Sequence, residues 1–85
     1  VQAAGCPPLV DAIEKGTPFL ETLKNPWPDP FSVAGGIADD IIFDGHTALP
    51  AIRRTNGRAI AVTDDEILDA EVLLASKEGL LVEPS

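Results

Sequence analysis

The side chains able to do chemistry are few, and they form no catalytic set. Cys6 lies where an apolar start, Val1 to Ala4, turns through Gly5 into a proline-led helix. Such strand-to-helix junctions carry the reactive groups of parallel α/β sheets. A nucleophilic thiol needs a helix N-terminus or a cation to lower its pKa, and a partner base. The only histidine, His46, is joined to Cys6 by no motif, so Cys6 reads as a small packed side chain. His46 has no second His or Cys at ligand spacing and reads as a surface residue. Asp39, Asp40 and Asp44 lack the DxDxDG register of a calcium loop. No carboxylate pair, Ser-His-Asp order or distinctive lysine marks catalysis. The adjacent Gly35 and Gly36 allow either close approach of backbone to another surface or a positive φ. They fit neither the GxGxxG nor the GxxxxGK phosphate spacing.

The elements that would hold these residues are clearest from Arg58 to Ser85. Ala59 to Val62 is apolar without polar alternation, the pattern of a strand buried on both faces of a parallel sheet. Thr63 with Glu66 predicts a capping box, and Asp64 and Asp65 suit the positive end of a helix dipole. Ile67, Leu68, Ala70, Val72, Leu74 and Ala75 cover a wide arc, predicting a deeply packed helix that stops at Gly79. Leu80 to Val82 then reads as a second buried strand ended by Pro84, completing a right-handed parallel crossover. Upstream, Pro7 and Pro8 suit the first turn of a helix with a Leu9, Val10, Ala12 and Ile13 stripe, stopped by Gly16. Thr17-Pro18 predicts the cap and first position of a short helix, and Thr47 the cap of another running to Asn56-Gly57, with Pro50 in its first turn. Between them, residues 17–45 form an irregular Pro- and Gly-rich connection. Its Asn25–Pro30 stretch has three prolines that impose an extended path, with Trp27 as an anchor.

Composition narrows the class. The net charge is −8, from six basic and fourteen acidic residues, which argues against a nucleic-acid surface because phosphate neutralisation needs clustered Lys and Arg. One cysteine permits no internal disulfide and fits a reducing cytoplasm. No apolar run reaches the roughly 20 residues of a membrane span. A chain of this length hides only about 60 % of its unfolded surface, yet 45 % of its residues are hydrophobic. Apolar strands at both ends sharpen that conflict, and the chain is expected to be one segment, residues 1–85, of a larger domain.

Four blocks, Val1-Gln2-Ala3-Ala4-Gly5-Cys6-Pro7-Pro8, Ser32-Val33-Ala34-Gly35-Gly36-Ile37, Ala61-Val62-Thr63-Asp64-Asp65-Glu66-Ile67 and Gly79-Leu80-Leu81-Val82-Glu83-Pro84-Ser85, together resemble the C-terminal half of the threonine synthase family. These are pyridoxal-phosphate (PLP) enzymes of the tryptophan-synthase β-subunit type. The resemblance implies an α/β fold, part of the parallel-sheet domain of a fold-type II PLP enzyme, in the order strand-helix-loop-helix-strand-helix-strand. It implies conversion of O-phospho-L-homoserine and water to L-threonine and phosphate, in a homodimeric, cytoplasmic enzyme without nucleic-acid or membrane partners.

The resemblance also places Gly36 where backbone runs close to the cofactor ring, Glu83 as a carboxylate that helps set the cofactor's electrostatics, and Ser85, at the edge of the same block, as a third cofactor-binding residue facing the site. The cofactor-bearing lysine and the phosphate loop belong to other segments, since Lys15, Lys24 and Lys77 sit in no matching motif. No catalytic residue is therefore assigned here, and these 85 residues are expected to be inactive alone. Ser32-Val33 replaces the family's commoner Thr-Ile, and Gly35 replaces a Thr or Asp. Two other readings are a related PLP lyase, such as a threonine or serine dehydratase or cysteate synthase, and a non-catalytic α/β binding module. The module would need polar outer faces on Ala59–Val62 and Leu80–Val82, which the sequence lacks.

Overall fold

The computed structural model describes residues 1–85. The chain runs β1 (Gln2–Ala3), α1 (Pro8–Lys15), α2 (Phe19–Lys24), a 3-10 turn (Gly35–Ile37), α3 (Gly45–Arg54), β2 (Ala61–Val62) and α4 (Asp64–Glu78). The α/β character is as expected, and the sheet is a parallel pair of β1 and β2 with Gln2 opposite Ala61 and Ala3 opposite Val62. The Gln2 amide donates to the Ile60 carbonyl at 2.9 Å and the Ala4 amide to that of Val62 at 2.7 Å.

The helix ends follow local chemistry. Proline leaves α1 with no side-chain cap from its own N-cap, Pro7. Gln2 of β1 supplies one, its Oε1 accepting from the amides of Leu9 at 2.8 Å and Val10 at 3.2 Å. At the other end Gly16 takes a left-handed φ of 69°. Arg53, from α3, donates there to the carbonyls of Ala12 and Thr17, at 3.2 and 2.8 Å. The predicted capping box of α4 is present, with Thr63 Oγ1 accepting from the Glu66 amide at 3.2 Å and Glu66 Oε2 accepting from the Thr63 amide at 2.7 Å. Gly79 ends that helix at φ 67°.

Several expectations are corrected. Leu80–Val82 forms no strand, because neither β1 nor β2 pairs with it, and these residues are exposed. The predicted crossover from Ala59–Val62 to Leu80–Val82 is replaced by the β1–β2 pair, which α1, α2 and α3 connect. Regular pairing in β2 covers only Ala61–Val62, and Ile60 is half exposed rather than buried on both faces. The α4 helix buries no residue, since the three other helices pack on one another instead. The α2 helix is capped by Pro18 rather than Thr17. The α3 helix starts two residues before Thr47, with Asp44 as N-cap, so Pro50 lies inside it. That position is on the solvent side, where water can meet the carbonyl left without its partner one turn back. Asp29, between two prolines, adopts φ 48°, so the Pro-rich path bends there instead of staying extended. Asp tolerates this left-handed conformation better than most residues.

The core lies among the first three helices: Ala12, Ile42 and Leu49 are buried against Leu9, Ile13 and Phe19. Leu49 is the largest fully enclosed side chain. Replacing Leu49 by Ala is expected to destabilise the protein by about 2–5 kcal/mol. The change is read as a lower urea midpoint with an unchanged slope.

Candidate functional site at the carboxyl edge of the strand pair

In a parallel pair both chains leave the sheet on one edge, and in open α/β sheets ligands bind at that carboxyl edge. Here the loop from Phe31 to Asp39 is tied to it. The Phe31 amide donates to the Gly5 carbonyl at 3.4 Å, just beyond β1. At the loop's far end the Cys6 thiol donates to the Asp39 carbonyl at 2.6 Å. Just beyond β2, Asp64 Oδ1 accepts from Ser32 Oγ at 2.7 Å, and Ser32 Oγ accepts from the Ala34 amide at 3.0 Å. Ala34 itself is fully buried. Trp27 anchors the preceding stretch as expected, its indole donating to the Gly5 carbonyl at 3.2 Å.

The loop presents Gly36 to the C-terminal segment. The Gly36 amide donates to Ser85 Oγ at 2.9 Å. A Cβ on Gly36 would lie 2.8 Å from that oxygen and 3.2 Å from Ser85 Cβ, whereas one on Gly35 would meet nothing. Neither glycine has a positive φ. Of the two uses open to this glycine pair, close approach is the one realised, and only at Gly36.

Glu83 is exposed. Together with Ser85 it lines a cleft of about 740 Å³ whose other walls include Val62, Ile67 and Leu74. Gly36 is not part of that cleft, so Ser85 is the residue shared between the loop contact and the cleft.

The other candidates are engaged elsewhere. Cys6 is completely buried, and burial pushes its thiol up from the ordinary value, with the Asp39 and Asp40 carboxylates acting the same way. His46 is exposed and packs its ring at a tilt on Phe19, centroids 5.8 Å apart. Lys15 and Lys24 pair with Asp11 and Glu21 of their own helices at 2.7 and 3.1 Å, exposed contacts worth about 0.2–0.5 kcal/mol each. No three His, Cys, Asp or Glu side chains gather into a metal-holding group, and no helix is long and apolar enough to cross a membrane.

Sequence reasoning missed the Ser32–Asp64 link. In the sequence Asp64 stands out only as a complement to the helix dipole, and Ser32 only as a substitute in a family pattern. The signal was present, since Ser32 is the single polar side chain between Phe31 and Ala38.

The model of the family described as pyridoxal-phosphate dependent enzyme matches residues 1–85, and the chain belongs to that family. Among its relatives are threonine synthases. The chain is 40% identical to that of Methanocaldococcus jannaschii and 41% identical to that of Methanosarcina acetivorans, each over 85 residues and all of this chain. It is 36% identical to that of Mycobacterium leprae over 84 residues, 99% of this chain. It spans about a fifth of the length of these relatives, 20% in each case. No solved structure matches it.

The residues present fit one wall of a PLP site. They are a backbone position whose Cβ would meet only the exposed Ser85 side chain, the hydroxyl of that serine and, in the cleft that Ser85 also lines, the exposed Glu83 carboxylate. A cofactor-bearing lysine and a phosphate cradle are not among them.

The Cys6 thiol gives a direct test of its packed role. Because its pKa is raised in the folded state, the unfolded chain loses this proton first as pH rises above about 8.5, and folding stability falls there. Cys6→Ala should flatten that alkaline loss. Iodoacetamide should label the unaltered protein slowly until denaturant is added, whereas fast native labelling would show an accessible thiolate.

Proposed function

We propose that the protein carrying this segment is a threonine synthase, converting O-phospho-L-homoserine and water to L-threonine and phosphate, with residues 1–85 forming part of its PLP-binding domain. The observation that carries this reading is the 40–41% identity to two threonine synthases across all 85 residues. When bound, PLP supplies the electron sink for removal of phosphate and addition of water.

The contributions of this segment are those of a wall. Gly36 lets backbone approach the cofactor ring where a side chain would intrude. Glu83 holds a carboxylate beside the cofactor and biases its charge. Ser85 spaces the Gly36 backbone from the C-terminal segment through its hydroxyl. The lysine that carries the cofactor and the groups that grip the substrate phosphate come from other segments, so the segment alone is inactive. The reading includes a cytoplasmic homodimer.

The deciding assay supplies O-phospho-L-homoserine to the full-length protein with PLP. Inorganic phosphate and threonine should appear in equal amounts. Ammonia release from L-threonine or L-serine in its place would instead give a dehydratase, and no turnover or visible cofactor absorption would leave a non-catalytic module.

Two substitutions test the wall. Gly36→Val should lower turnover by roughly 10²-fold, the scale of an ångström-sized misplacement, while leaving the unfolding midpoint near its original value. Glu83→Gln should preserve the fold and change the visible spectrum of the bound cofactor or its pH dependence. An unchanged titration would remove Glu83 from the site.

A further inference from the structure

The loop bearing Gly36 is fixed to the rest of the molecule on two sides, and the sides differ in kind. Toward β1 the ties are from backbone groups and a buried thiol, at Gly5, Phe31, Cys6 and Asp39. Toward β2 there is one side-chain pair, Ser32 Oγ donating to Asp64 Oδ1 at 2.7 Å, both residues partly buried. Asp64 is the first residue of α4, whose start the Thr63–Glu66 box already immobilises. The carboxylate is therefore presented from a fixed base. Ser32 relays that position inward, because the same hydroxyl oxygen accepts the Ala34 amide at 3.0 Å, and Ala34 is fully buried two residues before Gly36. A hydrogen bond to a carboxylate is roughly twice as strong as a neutral one. Beside the direct bond from the Gly36 amide to Ser85 Oγ at 2.9 Å, it is the loop's one tie to a charged side chain, and it reaches Gly36 through the buried Ala34.

We infer that Ser32 and Asp64 are a positioning pair: their hydrogen bond sets the distance of the Gly36 backbone from the start of α4 and from Ser85, and thereby the affinity of this wall for PLP. The inference rests on the cofactor role proposed for Gly36. Neither residue touches the cofactor in this account; both act through Gly36. The substitution of Ser for the family's commoner Thr keeps the donor, since both carry a hydroxyl at the same place.

The test uses the full-length protein and measures two quantities, hydrogen exchange at the Gly36 amide and the PLP dissociation constant from the cofactor's visible absorption. Ser32→Ala and Asp64→Ala should each speed exchange at Gly36 and weaken PLP binding by about tenfold, the scale of a lost hydrogen bond to a charged group. Ser32→Thr, which keeps the hydroxyl donor to the carboxylate, should restore both readouts, and Asp64→Asn, which keeps an Oδ1 acceptor without the charge, should restore them in part. Unchanged PLP affinity in the two alanine variants would overturn the inference even if exchange changed, since the pair would then be structural only. Failure of both conservative variants to restore binding would also overturn it. If Ser32→Ala does not fold, Asp64→Ala and the conservative pair carry the same decision. If the unaltered protein binds no PLP, the cofactor reading fails and this inference fails with it; if it binds normally and the alanine variants bind equally well, the inference alone is wrong.

Discussion

The parallel pairing of β1 with β2 is the constraint on which the rest depends. Two backbone hydrogen bonds flanking Gln2–Ala3 and Ala61–Val62 bring the two strand exits to one edge. Every tie on the Phe31–Asp39 loop uses a residue at or just after one of those exits, or one in the C-terminal segment that follows α4. An antiparallel pair would send the exits to opposite ends, and the same loop could not hold both. The sheet is very small, but its direction determines where a site can be.

Burial is distributed unevenly around that pair. The α1, α2 and α3 helices enclose Leu49 and its neighbours, whereas α4 and the residues after it leave Leu68, Val72, Leu73, Leu80, Leu81 and Val82 exposed. The energetic contrast is substantial, since full burial of one such side chain is worth about 1.5–3 kcal/mol. The α4 helix keeps its shape here through its termini, a capping box at Thr63 and a left-handed glycine at Gly79, and not through packing. In relatives five times as long, chain beyond this segment accompanies the matching region.

What could be seen in the sequence follows from how local each cause is. The capping box, both glycine stops and the proline start of α1 depend on residues within one turn of each other, and they appear as expected. Trp27 as an anchor also follows from an indole placed in a stiffened loop. The failures are non-local. Leu80–Val82 has strand composition, but a strand exists only with a partner, and no rule within those residues says which chain will pair with them. The Gln2 cap on α1, the Arg53 clamp and the Ser32–Asp64 pair each join residues that only the fold brings together. Of the candidate site, the residues alone leave two uses open to the Gly35-Gly36 pair; that close approach is the one taken, and that Ser85 is the neighbour Gly36 approaches, is knowledge only the three-dimensional structure provides.

The partners of the sheet stand far apart in sequence: Gln2 and Ala3 wait for Ala61 and Val62. Non-local pairing of this kind pays its loop-closure entropy before any contact repays it. Within this segment β1 cannot pair with β2 until all of the residues between them have been made, while α1 and its neighbours can already associate. A strand whose partner comes so much later in the chain has that much longer in which to pair wrongly.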